Sequence, residues 1–223
     1  MAGDSTMSIK ETKAYPETGW GMPFANFWDS SVTVINLAKN GRSTRSFIEE
    51  GLWKSICDQA REGDYVLIQF GHNDEVPTKK NYTTEQEFKN NLIKYVQEVR
   101  SKKAIPILIT PVARREFDTD GKVKETHPYA QLVRDVAVSQ QVLLIDLDKK
   151  SKELLQEFGK ENSRWLYNQV KPGEHPNYPE GKEDNTHFNE LGARKMAEIV
   201  LAEIKAQNIE LADHIFKPVV KKQ

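Results

Sequence analysis

A three-layer α/β/α fold around a parallel sheet is what this chain predicts. Four short runs, VTVINLA (Val32–Ala38), YVLIQFG (Tyr65–Gly71), IPILITPV (Ile105–Val112) and VLLIDL (Val142–Leu147), are rich in Val, Ile and Leu. They lack regular polar alternation, as expected of strands buried on both faces. Amphipathic helical patterns lie between them, so strand and helix alternate, the order of right-handed crossovers in a parallel sheet.

Taken in order, Val32–Ala38 reads as a strand and Ser46–Ala60 as a helix with Phe47, Leu52, Ile56 and Ala60 near one face. Tyr65–Gly71 is the next strand. Thr84–Lys102 follows as a helix, with Phe88, Leu92, Tyr95 and Val99 on one side. In Ile105–Val112, Pro106 sits near the start, where a strand tolerates a missing N–H. Tyr129–Ser139 and Lys150–Phe158 are shorter helices on either side of the Val142–Leu147 strand. The polar stretch Asn168–His187, broken by Pro and Gly, reads as a long loop of the functional kind. Asn189 is placed to cap a last helix, with Leu191, Met196, Val200 and Ile204 inward.

The 223 residues suit one domain spanning 1–223, with no internal repeat or low-complexity linker. Hydrophobic residues at 38% and charged residues at 29% mark a globular chain. A net charge of −1 supplies no bulk basic field, which argues against nucleic acid and anionic membrane surfaces as partners. Cys57 is the single cysteine, so neither an intramolecular disulfide nor a multi-cysteine zinc site is available. No apolar run approaches the roughly 18–20 residues of a membrane span. Oligomeric state is not legible.

Open parallel sheets build their sites at the carboxyl ends of the strands. Here those ends carry NGRS (Asn40–Ser43) and GHND (Gly71–Asp74). Far along the chain, Asp184 stands three residues before His187 in DNTH. An imidazole used as a general base needs one nitrogen free and a carboxylate on the other. The Gly-Asp-Ser run at Gly3–Ser5 offers a serine, whose weak hydroxyl needs such a base. Acyl transfer also needs donors for a developing oxyanion. Candidates are the Ser5 N–H, the Gly41 N–H and the Asn73 side chain.

GDS, NGRS, GHND and DNTH, in this order and spread over nearly the whole chain, resemble the blocks of the SGNH, or GDSL, hydrolases. The phrases GDSTM, GWG, NGRSTRSF, QFGHND and DNTHFNELGA are most similar to the rhamnogalacturonan acetylesterase branch. The resemblance implies a flavodoxin-like fold and no metal or organic cofactor. It implies Ser5 as nucleophile, Asp184 and His187 as its partners, and Ser5, Gly41 and Asn73 as the oxyanion hole. The implied activity is serine-dependent removal of acetyl groups from a plant cell-wall oligo- or polysaccharide, rhamnogalacturonan first. Other esters, such as a lipid or thioester, and a non-catalytic glycan-binding module of the same fold are the alternatives.

Arg42 and Arg45 either pair with surface carboxylates or grip a uronate carboxylate, which a guanidinium matches in bidentate fashion. His72 is either structural or touches substrate. Trp20, Trp165 and Tyr167 serve as core or as stacking faces for sugars. Asp4 and Asp74 read as supports for their turns, and Cys57 as inert core. His127, His175 and His214 read as surface residues, and the tail KPVVKKQ as a solvated end.

The resemblance also implies a buried strand directly ahead of Gly3, where only Met1 and Ala2 stand. A normal strand has about five residues. The expectation is therefore a truncated first strand, a gap beside the neighbouring strands, and a longer natural protein with an apolar strand upstream. A secretion signal ahead of it would make the protein secreted or periplasmic.

Overall fold

The computed structural model describes residues 1–218; the last five residues of the expected solvated tail lie outside the described residues. Four parallel strands, β1 (Ala2–Gly3), β2 (Tyr65–Gln69), β3 (Ile105–Ile109) and β4 (Leu143–Ile145), form one sheet in that spatial order. Among the described residues seven α-helices follow the chain: α1 (Gly21–Phe24), α2 (Thr44–Glu49), α3 (Leu52–Gln59), α4 (Glu85–Ser101), α5 (Tyr129–Ser139), α6 (Leu147–Asn162) and α7 (Glu190–Ala206). A second, antiparallel pair joins β5 (Tyr167–Val170) to β6 (Lys182–Phe188).

The apolar runs divide between two cores because side chains alternate across a strand. Leu67 of β2 with Ile107 and Ile109 of β3 face α1, α6 and α7, against Trp20, Phe24, Leu155, Met196 and Val200. Val66, Ile68 and Leu108 face α2 to α5, against Phe47, Trp53, Phe88, Leu92, Tyr95 and Val133. Each strand thus buries both faces, which is why it reads as an unbroken apolar run. The result is the α/β/α layering expected.

Several elements differ from expectation. The helix over Ser46–Ala60 is two helices, split where Gly51 adopts φ 73°. The Asn168–His187 stretch is not all loop, since β5 and β6 pair across it. Leu191, expected inward, is 47% exposed; the buried positions of α7 begin at Gly192 and Ala193.

Val32–Ala38, expected as a strand, forms no strand of the sheet. Its ladder bonds run to the first residues of the chain: Leu37 N–H to the Met1 carbonyl at 3.0 Å, and, just beyond it, Lys39 N–H to the Gly3 carbonyl at 3.0 Å. The Met1 amino group donates to the Ile35 carbonyl at 2.7 Å. On its other side β1 meets β2 only at Ile68 and Gln69. Beside Tyr65–Leu67 lies a cleft of about 510 Å³, lined also by Val32, Val34, Ile35, Phe24 and Trp28. The ladder that would make a strand of Val32–Ala38 therefore spans only Met1–Gly3.

Candidate active site

Ser5 follows β1 in a tight turn, with the Asp4 carbonyl accepting from the N–H groups of Met7 at 3.3 Å and Ser8 at 3.2 Å. Gly3 permits the approach of that turn: a Cβ there would stand 2.8 Å from Met7 Sδ and 2.9 Å from the Gln69 carbonyl oxygen. A buried chain ties the turn to β2, from Trp20 Nε1 to Gln69 Oε1 (2.6 Å) and from Gln69 Nε2 to Thr6 Oγ1 (2.7 Å). Asp4 Oδ1 accepts from the Thr6 N–H and hydroxyl. These contacts fix the serine despite the shortness of its strand.

β6 brings the other end of the chain to Ser5. His187 Nε2 lies 2.8 Å from Ser5 Oγ, and His187 Nδ1 lies 2.8 Å from Asp184 Oδ2. Asp184 Oδ1 accepts the N–H groups of Thr186 and His187 at 2.8 and 2.9 Å. Burial would raise the Asp184 pKa, but the His187 contact and the two backbone N–H groups outweigh it and hold the carboxyl well below its usual range. An ionised carboxylate on Nδ1 leaves Nε2 as the nitrogen facing the hydroxyl. Ser5 is nearly buried, at 8% exposure, while the His187 side chain is partly open. The pair thus meets solvent at the imidazole edge.

Gly41 has φ 75°, the left-handed region open to glycine at little steric cost. Its carbonyl is held by Asn81 Nδ2 at 2.7 Å, and Asn40 Oδ1 beside it accepts from Ser8 Oγ and Lys10 Nζ. Among the described residues, neither the Ser5 nor the Gly41 N–H donates to a protein acceptor. Asn73 is 5% exposed, and its Nδ2 donates to the Arg42 carbonyl at 3.0 Å, leaving the second amide hydrogen free.

Asp74 locks these loops together. Its Oδ1 accepts from the Thr44 N–H (2.9 Å), the Thr44 hydroxyl (2.6 Å) and the Thr83 hydroxyl (3.1 Å). Full burial pushes its pKa up to about 7. The native state keeps this proton where the unfolded chain has released it, so the stability tied to Asp74 is full below about pH 4 and is lost as pH rises through about 7. Asp74→Asn is expected to flatten the fall of Tm across that window by several degrees, since a shift of this size is worth on the order of a few kcal/mol. Equal Tm slopes in the two proteins would contradict the assignment.

The three substrate-contact candidates fare differently. Arg42 is committed to Glu50, with Nε and Nη2 at 3.0 and 2.9 Å from its carboxylate. Arg45 is held by the Lys80 carbonyl, Glu49 and Glu87. Both guanidinium groups thus pair with surface carboxylates of the chain itself. His72 is 2% exposed, edge-on to His127 at 4.3 Å, with neither nitrogen hydrogen-bonded among the described residues. Burial holds its pKa well below the usual value, so the ring is neutral and enclosed.

His127 is a correction: it is buried, not at the surface, with Nδ1 2.6 Å from Glu75 Oε1. Trp20 and Tyr167 are fully buried, whereas Trp165 is 61% exposed. Cys57 is half-buried beside Glu98. Glu17, Asp184 and His187 bring potential metal-ligand atoms within 4.8 Å of one another. Both imidazole nitrogens are already engaged, and Glu17 pairs with Lys10 Nζ at 2.7 Å. The Lys10–Glu17 pair and Lys79, whose ammonium reaches Asn73, leave no mark in the sequence: isolated loop charges carry no periodic signal. No helix among the described residues is long and apolar enough to cross a membrane.

The model of the GDSL-like lipase/acylhydrolase family matches residues 1–195. Rhamnogalacturonan acetylesterase RhgT of Bacillus subtilis is 42% identical over 217 residues, covering 96% of this chain and 92% of the relative. Probable rhamnogalacturonan acetylesterase YesY of the same organism is 33% identical, covering 97% and 96%. The crystal structure of Bacillus subtilis YxiM superposes with a TM-score of 0.81 at 29% identity, covering 93% of this chain and 56% of that chain. Axe2, an acetylxylan esterase of Geobacillus stearothermophilus, shares the fold at a TM-score of 0.62 and 17% identity, covering 91% of each chain.

Proposed function

Because this chain belongs to the GDSL-like lipase/acylhydrolase family, we propose that it is a serine-dependent carbohydrate O-acetylesterase acting on acetylated rhamnogalacturonan. It is a carboxylic ester hydrolase. The observation that carries the mechanism is the unbroken contact from Ser5 Oγ through His187 to Asp184, with 2.8 Å at both links.

In this mechanism Ser5 Oγ attacks the acetyl carbonyl carbon as its proton passes to His187 Nε2. The carbonyl oxygen becomes an oxyanion facing the Ser5 N–H, the Gly41 N–H and Asn73 Nδ2. Asp184 stabilises the imidazolium. Collapse breaks the bond to the sugar oxygen, and His187 returns the proton to that oxygen as the alcohol leaves. Water then attacks the acetyl-serine as its proton passes to His187 Nε2; the bond to Ser5 Oγ breaks, acetate leaves, and His187 returns that proton to Ser5 Oγ. His187 carries each proton in turn between Ser5, the sugar oxygen and water.

The sugar chain is assigned from the relatives named rhamnogalacturonan acetylesterase. Arg42 and Arg45 do not support uronate recognition, being occupied by Glu50, Glu49 and Glu87. Acetate release should be severalfold faster from acetylated rhamnogalacturonan than from acetylated xylan at matched acetyl content. Equal rates would remove the substrate name while leaving the esterase reading in place.

A further inference from the structure

We propose that Lys79 is a positioning residue for this reaction, orienting and polarising the Asn73 amide from behind the oxyanion hole. The proposal rests on the reading of Asn73 as an oxyanion donor. Lys79 Nζ donates to Asn73 Oδ1 at 2.9 Å and to the His72 carbonyl at 3.3 Å. On the other side of the same amide, Nδ2 donates to the Arg42 carbonyl at 3.0 Å.

An ammonium can only donate and a carbonyl can only accept, so the two contacts admit one orientation of the amide. In that orientation the free Nδ2 hydrogen is left for substrate. A flipped amide would set Oδ1 against the Arg42 carbonyl, and Nδ2 against the ammonium. Without Lys79, one of the two groups that distinguish the orientations is gone.

A cation on Oδ1 also draws electron density from the amide nitrogen, strengthening its N–H as a donor, as hydrogen bonds in a chain polarise one another. The effect grows when charge appears on the substrate oxygen, so it favours the transition state over bound substrate. The turn that presents Lys79 is itself held, with its N–H on the Val76 carbonyl and its carbonyl accepting from Tyr82. Burial and the neighbouring Arg114 lower the ammonium pKa, while Asp4 and Glu75 oppose them.

The test is steady-state kinetics on a small acetate ester, which reads the ester chemistry whatever the natural glycan. Lys79→Met should lower kcat about 10-fold, a fraction of the 10²–10³ expected for losing the donor itself, with KM little changed. Lys79→Arg should restore most of the rate and hold it further into alkaline pH, where the wild-type lysine loses its proton. In an Asn73→Ala background, Lys79→Met should cost no additional rate, because coupled residues are not additive. Wild-type kcat in Lys79→Met, or the same 10-fold loss in the Asn73→Ala background, overturns the proposal and leaves the Ser5 reading intact. Wild-type kcat in Asn73→Ala overturns the oxyanion reading, and this proposal with it.

Discussion

Ser5→Ala is expected to lower kcat by about 10³ or more while leaving Tm and the fold unchanged, as when one member of a cooperating catalytic set is removed. The reason lies in the geometry: in the proposed mechanism the hydroxyl 2.8 Å from His187 Nε2 forms the new bond, and the alanine has no atom there. The turn survives because its hydrogen bonds run through the Asp4 carbonyl, the Asp4 side chain and Gln69, not through Ser5 Oγ. Residual rate would come from the oxyanion donors and substrate binding. Double substitution with His187→Ala should add little, since each partner is idle without the other. Rates and circular dichroism on the same preparations check both halves; full activity in Ser5→Ala would contradict the assignment.

Under the proposed mechanism Asn73→Ala should depress kcat by about 10²–10³ with KM nearly unchanged, the cost of deleting one oxyanion donor. The amide is fixed before substrate arrives, by Lys79 on Oδ1 and the Arg42 carbonyl on Nδ2, so it needs no reorganisation when charge develops. Asn73→Ser should recover little, because the shorter hydroxyl does not reach the same point. A variant in which only KM rises would make Asn73 a ground-state contact instead.

Much of the architecture is legible because burial on both faces leaves a strong signature. The runs around β2, β3 and β4 are apolar without alternation, and their side chains divide between the two cores. Val32–Ala38 carries the same signature without forming a strand, and Ile35 within it is 48% exposed, since composition reports surface fit for burial and not whether a partner ladder covers it. Among the described residues its backbone ladder runs to Met1–Gly3. The β5–β6 pair escapes notice because Lys182–Phe188 is mostly polar, and its pairing with Tyr167–Val170 is set by contacts across a Pro- and Gly-containing stretch.

The candidate site shows the same division. Ser5, Asp184 and His187 are flagged by block order, and the structure draws them together from opposite ends of the chain. Their supports are long-range side-chain bonds, such as Trp20 to Gln69 and Lys10 to Asn40, and local sequence carries no trace of these. His127 looks unpartnered in sequence because Glu75, its partner, lies far from it along the chain.

The most direct measurement is peptide mapping after inactivation by a serine-directed phosphonate, with acetate release from acetylated rhamnogalacturonan followed in the same reaction. Activity should fall in proportion to a single adduct, and that adduct should lie on Ser5, with none on Ser43 or Ser8. Inactivation with the label on another serine, or acetate release that continues after Ser5 is fully modified, would contradict the account.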